Sequence, residues 1–371
     1  MPKTVLITGG AGFIGSHVAD ALLAAGHRVR LLDNLSPQVH RDGARPAHLE
    51  GAAELVVGDV RDPAAVVRAL AGIDAVIHLA AAVGVGQSMY EIAGYTAVND
   101  LGTAVLMEAL ARRPVERLVC ASSMSIYGEG LAQRSDGMPV EPPGRSAAQL
   151  RHGQWELRDG DGAPLAPLPT PETKRPALSS VYALNKFAQE QLCLIAGGAY
   201  AIPTVALRFF NVYGPRQALS NPYTGVLAIF AARLLNGRPP LIFEDGLQRR
   251  DFVHVRDVAR ACRLALETER SAGEAYNIGS GEPRTVLSVA EALAALLDRP
   301  NLRPHVTGRY RAGDIRHCFA DIAKARDGLG FAPTVGFREG LEELVAWLPS
   351  QVAVDSVERA TAELAERGLV A

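Results

Sequence analysis

Two residues in this chain have the types and spacing for proton transfer. Tyr182 and Lys186 stand at i and i+4 in the run Tyr182-Ala183-Leu184-Asn185-Lys186, so on a helix both face one side. A free phenol titrates at ~10, and a neighbouring ammonium favours its anion. Bringing it near neutrality needs roughly 3 units, or about 4 kcal/mol. Such a tyrosine can take a proton from a hydroxyl and give one back. The same spacing also occurs on plain exposed helices, so it needs company. Ser122-Ser123 supplies it by ending the apolar run Arg117-Leu118-Val119-Cys120-Ala121. A serine there can hydrogen-bond the reacting oxygen, or merely cap the strand.

A second constellation carries an anion. Gly9-Gly10-Ala11-Gly12-Phe13-Ile14-Gly15 directly follows the apolar run Val5-Leu6-Ile7. Gly9 allows a sharp turn, Gly12 a close approach of a pyrophosphate, and Gly15 tight helix–strand packing. The helix that opens at Phe13 and Ile14 offers free N–H groups and a partial positive charge to that pyrophosphate. About 20 residues on, Asp33 ends the second strand, followed by Asn34. A carboxylate there accepts from ribose hydroxyls and repels a 2′-phosphate, so the expected cofactor is NAD and not NADP. Arg28 and Arg30 lie inside the strand, too early to hold such a phosphate. Asp59-Val60 ends the third strand, where a side chain meets the adenine. Leu79-Ala80-Ala81 ends the fourth, where small residues let a cofactor lie on the backbone, or simply pack closely. With NAD beside it, Tyr182 would take a hydroxyl proton while hydride leaves the carbon beneath.

These residues need an alternating scaffold. Strands are expected at Val5–Ile7, Arg28–Leu32, Glu54–Val57, Ala75–Leu79, Arg117–Ala121 and Thr204–Arg208. Helical stretches are expected between them at about 13–25, 62–70, 98–111 and 181–196. Alternation of this kind makes right-handed crossovers and an α/β, Rossmann-like, doubly wound parallel sheet. Residues 1–206 form the expected NAD-binding domain, and 207–371 a smaller α/β substrate-binding domain interleaved with it. Helices are expected there near 225–235, 255–267 and 286–298, with a short amphipathic one over 355–367. Between 139 and 176 lie 8 of the 23 prolines. The stretch from about 129 to 180 therefore reads as a surface insertion, either a disordered loop or a lid over the substrate.

Composition removes other classes. With 48% hydrophobic and 21% charged residues, a disordered or collagen-like chain is excluded. The 38 Lys+Arg against 40 Asp+Glu leave a net charge of −2, which gives no general attraction to nucleic acid or an anionic membrane. Cys120, Cys193, Cys262 and Cys318 share no C-x-x-C spacing, so no metal site is expected and the thiols read as reduced. Met1-Pro2-Lys3 leads directly into the first strand, so neither a signal peptide nor a membrane span is expected. The expected location is the cytoplasm.

Together these features resemble the extended short-chain dehydrogenase/reductase family, and within it the NAD-dependent nucleotide-sugar epimerases and dehydratases. The resemblance runs over nearly the whole chain. It includes Asn99, the run Arg208-Phe209-Phe210-Asn211-Val212-Tyr213-Gly214-Pro215-Arg216, Arg250-Asp251-Phe252-Val253-His254-Val255, Tyr276-Asn277-Ile278-Gly279 and Arg311-Ala312-Gly313-Asp314. It implies a catalytic set of Ser123, Tyr182 and Lys186, with Asn99 and Ser122 among the NAD contacts. Ser123 is the match because it stands four residues before Tyr127 in Ser-x-x-x-Tyr-Gly. It further implies a nucleotide-diphosphate sugar as substrate, held through Ser125, Asn211, Arg216, Asn221, Arg250, Arg311 and Asp314. Arginine forks suit phosphate oxygens. Family 4,6-dehydratases carry an Asp-Glu pair where Met124 and Ser125 stand here, which speaks against dehydration. GDP-mannose-type 3,5-epimerases carry cysteine in place of Ser125, so C5 or C3/C5 epimerisation of a GDP-sugar is the alternative to inversion at C4. A non-catalytic NAD-binding regulator is a third reading. Cys318 stands where some galactose 4-epimerases carry a tyrosine, implying a roomier sugar pocket. The insertion, through Gln154-Trp155-Glu156, Pro167–Pro171 and Asn221-Pro222-Tyr223-Thr224-Gly225, resembles that of a bacterial subgroup of dTDP-L-rhamnose 4-epimerases. Relatives commonly pair two helices between subunits, which makes Leu101–Leu110 and Phe187–Ile195 the expected faces of a homodimer.

Overall fold

Apolar residues on both faces of each strand oblige the chain to bury a sheet between two helical layers. In the computed structural model, which describes all residues except 1, 41–42, 50–52 and 224, seven parallel strands do this. They are β1 (Thr4–Thr8), β2 (Arg28–Asp33), β3 (Glu54–Val57), β4 (Ala75–His78), β5 (Arg117–Ser123), β6 (Thr204–Phe209) and β7 (Ala275–Ile278). Their spatial order is β3-β2-β1-β4-β5-β6-β7. Met1 and Thr224, named above, lie outside the described residues.

The period-2 alternation sorts side chains between two cores. Val5, Ile7, Val119 and Ala121 face one side, and Leu6, Leu118 and Cys120 the other. The first side is covered by helices α1 (Phe13–Ala24) and α5 (Val255–Glu267). The second is covered by α2 (Pro63–Ala69), α3 (Gly102–Arg112) and α4 (Val181–Ala199). Each fully buried Leu or Ile contributes about 1.5–3 kcal/mol. The expected helix over 98–111 begins instead as a π-turn, Ala97–Leu101, before α3. Among the described residues no helix is long and apolar enough to cross a membrane.

Residue 206, the expected boundary, falls inside β6, and the later chain returns to add β7 and α5 to the same sandwich. A third core, built on Phe230, Ile242, Leu293 and Leu344, gathers the helices Val226–Leu235, Val286–Leu296 and Phe337–Trp347. The insertion is not a disordered loop. It forms a small three-stranded antiparallel sheet, Ala132–Gln133, Pro139–Val140 and Ala166–Pro167, over its own core of Ala132, Leu157 and Leu165. It is bonded to the later part of the chain through Gly130 N–H to the His317 carbonyl at 2.7 Å and Thr170 N–H to the Phe319 carbonyl at 2.8 Å.

Candidate active site

Strand order reverses between β1 and β4, which opens a crevice at the carboxyl edge of the sheet. The glycine turn lies at this edge. Gly9 has φ +67°, and a Cβ on it would meet Ala80 Cα at 2.9 Å; a Cβ on Gly15 would lie 2.3 Å from the Gly9 carbonyl oxygen. Only glycine lets the turn, the helix and the end of β4 approach this closely. Gly12 caps α1 with no side-chain acceptor, so the N–H groups of Phe13 and Ile14 are available to an anion. The Asp33 carboxylate accepts from Ala11 N–H at 3.0 Å and Leu35 N–H at 2.9 Å, which leaves lone pairs for ribose hydroxyls. Ser122 Oγ is buried without a hydrogen-bond partner among the described residues. A bare helix start, an acceptor carboxylate and an orphaned hydroxyl in one crevice fit a dinucleotide.

Other expected cofactor contacts are differently employed. Asn99 lies in the π-turn and closes both amide groups on Ala82, accepting from its N–H at 2.7 Å and donating to its carbonyl at 3.1 Å. It shapes the loop after β4, and each amide atom keeps one further bonding position. Asn34 donates to Asp59 at 3.1 Å. Asp59 lies two residues past β3, and its pairing with Arg61 holds its carboxyl down at about 2. Val60 is buried at that corner, where its side chain fills the space beside Gly102. Leu79, Ala80 and Ala81 line the chain leaving β4, with Ala80 N–H donating to Thr8 Oγ1 at 3.2 Å.

Tyr182 and Lys186 lie in the first two turns of α4, which Ser180 caps by accepting from Ala183 N–H at 3.1 Å. Tyr182 N–H in turn bonds Ser88 Oγ at 3.0 Å. The phenol reaches the Ser123 hydroxyl, yet burial pushes it up to about 12, with Ser123 pulling the other way. An ammonium beside a phenol lowers it, but in the chain alone desolvation prevails and Ser123 is the one group among the described residues that opposes it. Lys186, 3% exposed and drawn down to about 8 by burial, donates to Gln189 Oε1. The Gln189 amide bonds His78 Nε2 at 2.8 Å, and His78 Nδ1 reaches Thr8 Oγ1 at 2.6 Å. This buried relay joins the lysine to the end of β1, and burial holds His78 neutral, at about 3. Ser125 Oγ donates to Ser123 Oγ at 2.9 Å. A further network, Tyr127 to Asn277 at 2.7 Å and Arg208 to Tyr127 and to Glu190 at 2.8 and 2.7 Å, fixes α4 against β5, β6 and β7.

The expected substrate residues separate into two sets. Arg250, Arg311 and Asp314 come together: Asp314 lies 3.5 Å from Arg250 and 3.0 Å from Arg311, whose guanidinium stacks 4.8 Å over Phe243. Asn211 Oδ1 is buried without a hydrogen-bond partner among the described residues. Cys318 is buried with its thiol pushed up to about 12, and lies 3.9 Å from Thr170 of the insertion. Arg216 is elsewhere, in an ion pair with Asp20 of α1 at 2.7 Å. Asn221 accepts from Tyr223 N–H at 3.0 Å and lies near Gln38. These two tie the halves together and stand apart from the arginine cluster. Sequence reasoning missed Asp251, whose buried carboxylate accepts from Ser280 N–H, Gly281 N–H and Ala320 N–H. It pins the strand that carries Arg250, Arg249–His254, and its partners come from residues 280–281 and 320, which no local spacing announces.

Comparison with known proteins agrees with this geometry. The model of the NAD dependent epimerase/dehydratase family matches residues 5–155 and 160–279. The dTDP-L-rhamnose 4-epimerase of Burkholderia thailandensis is 38% identical over 354 residues, covering 94% of this chain and 96% of that protein. The UDP-glucose 4-epimerase of Thermus thermophilus, solved with NAD, superposes with a TM-score of 0.74 at 35% identity, over 94% of this chain and 100% of that one. The UDP-glucose 4-epimerase of Thermotoga maritima, solved with UDP-glucose, gives 0.75 at 31% identity, over 93% and 98%. These relatives give no support to the GDP-sugar alternative. The chain belongs to the NAD dependent epimerase/dehydratase family, as an NAD-dependent nucleotide-sugar epimerase of the extended short-chain dehydrogenase/reductase type.

Proposed function

We propose that this enzyme inverts C4 of a nucleotide-diphosphate sugar, with a dTDP-linked 6-deoxyhexose such as dTDP-L-rhamnose as the leading candidate. The observation that carries the reading is the Tyr182 phenol against the Ser123 hydroxyl, in the crevice that also holds the glycine turn. Tyr182 takes the C4 hydroxyl proton and later returns it. Ser123 holds the reacting oxygen and is itself oriented by Ser125. Lys186 keeps positive charge beneath the phenol. The removal and return of hydride at C4 are what bound NAD supplies. Arg250 and Arg311 bind the diphosphate, with Asp314 between them; the free Asn211 carbonyl oxygen can accept from a substrate hydroxyl. The similarity to a dTDP-L-rhamnose 4-epimerase supports the choice of sugar, and Cys318 in place of a bulkier side chain is in keeping with it.

Tyr182→Phe tests the mechanism. Its kcat falls on the order of 10²–10⁴-fold while bound NAD is unchanged; full activity would remove the mechanism. The enzyme acts as a homodimer in the cytoplasm on this reading. Leu101, Leu184, Leu192 and Ile195, 53%, 50%, 36% and 68% exposed, form an uncovered apolar face on α4 and the turn before α3. All four cysteines are free. Sedimentation giving only monomer would refute the dimer.

A further inference from the structure

We propose that Arg145, carried by the insertion, is a positioning residue for the nucleotide-diphosphate end of the site; this rests on the proposed function above. Its side chain is 3% exposed and makes contacts in two directions. One Nη donates to Glu244 Oε1 at 2.8 Å, and the other donates to the backbone carbonyl of Asp314 at 2.9 Å. Nε lies 3.3 Å from Glu129. Each target adjoins a group assigned to the diphosphate. Glu244 follows Phe243, the ring on which the Arg311 guanidinium stacks. Asp314 holds its carboxylate between Arg250 and Arg311. A single guanidinium thus joins the floor under Arg311 to the loop that aims it.

The backbone at Glu244 supports this reading. Its φ is +54°, a left-handed conformation unusual for a residue with a side chain and one that costs of order 1 kcal/mol or more. It is held by backbone bonds to Arg309 and Gly308 and by its carboxylate, 1% exposed, shared between Arg145 and the fully buried Arg316. The Arg316 side chain meets Glu244, Asp245 and Glu156. Arg316 ties Glu244 to the loop from its own place two residues past Asp314, and Arg145 does so from the insertion, through the Asp314 carbonyl. The insertion accordingly acts as a fixed brace for the arginine cluster and not as an opening lid.

The fork is what matters, so Arg145→Lys is the informative variant. Lysine keeps the charge beside Glu129 and Glu244, which lets the protein fold, but a point charge cannot hold Glu244 and the Asp314 carbonyl together. Glu156→Gln serves as the comparison, because it weakens the outer edge of the same cluster without touching Asp314. The NAD-loaded proteins would be titrated with dTDP and with UDP, and assayed with a dTDP-sugar. Arg145→Lys is expected to weaken nucleoside-diphosphate binding and raise KM tenfold or more, with kcat within threefold of wild type. Glu156→Gln is expected to lower the melting temperature and leave affinity within twofold. Wild-type affinity in Arg145→Lys, or an equal loss in Glu156→Gln, would overturn the proposal. Wild-type protein that binds neither nucleotide would remove the underlying function, and this inference with it.

Discussion

Replacing Lys186 with methionine separates its electrostatic role from its structural one. In the chain alone the Tyr182 phenol stands at about 12, because burial outweighs the help of Ser123. Lys186, at about 8, is still mostly protonated at neutral pH. In the chain alone Lys186 donates to Gln189 and is not among the groups that shift the phenol; its charge is expected to act on the phenolate formed with substrate bound, at a distance near the ~5 Å Cβ spacing of i and i+4 on a helix. A unit charge at that distance, with an effective dielectric constant of ~20, stabilises a phenolate by roughly 3 kcal/mol, or about 2 pKa units. Lys186→Met removes that charge with little change in shape, so the base titrates about 2 units higher. The assay is the pH dependence of kcat in NAD-loaded enzyme, read beside the ultraviolet absorbance of phenolate against a Tyr182→Phe reference. The acid-side midpoint should move to higher pH by about 2 units. Turnover at pH 7 should fall about a hundredfold and recover as the pH is raised. An unmoved midpoint, or a loss equal at every pH, would refute the electrostatic reasoning.

Three other outcomes follow from the same geometry. Gly15→Ala forces its Cβ against the Gly9 carbonyl oxygen, so NAD affinity should drop tenfold or more by titration, about 1.4 kcal/mol; unchanged affinity would contradict the close approach. Asp33→Ala removes the charge that repels a 2′-phosphate, so the ratio of NADP to NAD binding should rise on the order of tenfold or more; competitive titration with both cofactors checks it, and an unmoved ratio contradicts the role of Asp33. His78 and His254 are buried and depressed by desolvation to about 3 and about 4 from 6.5. The unfolded chain therefore binds protons first. The stability these two contribute is fully present above pH 6.5 and is lost as pH falls toward 4, by roughly 1.4 kcal/mol per pH unit for each. Denaturant titrations between pH 7 and 5 measure this, and constant stability across that range would contradict it.

What could be read from the sequence was what depends on neighbours along the chain. Strand Glu54–Val57 and helix Val255–Glu267 form with the expected bounds, since each is an unbroken local pattern ended by turn residues. Strand β7 is only four residues long and pairs with β6 about seventy positions earlier, so nothing local announces it. The π-turn at Ala97–Leu101 looks like ordinary helix in sequence and is set by Asn99 reaching Ala82. The placement of Tyr182 and Lys186 on one helix and of the glycines in a tight turn was legible because helix and turn geometry fix their spacing. The ion pair of Arg216 with Asp20 was not legible, because Asp20 is reached only through the fold. The relay from Lys186 through Gln189 to His78 and Thr8, and the brace of Arg145 on Glu244 and Asp314, join residues from separate elements. No single-sequence spacing encodes such contacts.

The central claim is that one carbon is inverted by losing and regaining its own hydrogen. The most direct measurement is NMR of purified, NAD-loaded enzyme incubated with dTDP-L-rhamnose in deuterated water, with UDP- and GDP-sugars alongside. The account predicts a product inverted at C4 whose sugar carbons carry no deuterium. Deuterium at C3 or C5, or a sugar unchanged at C4 with every donor supplied, would contradict it.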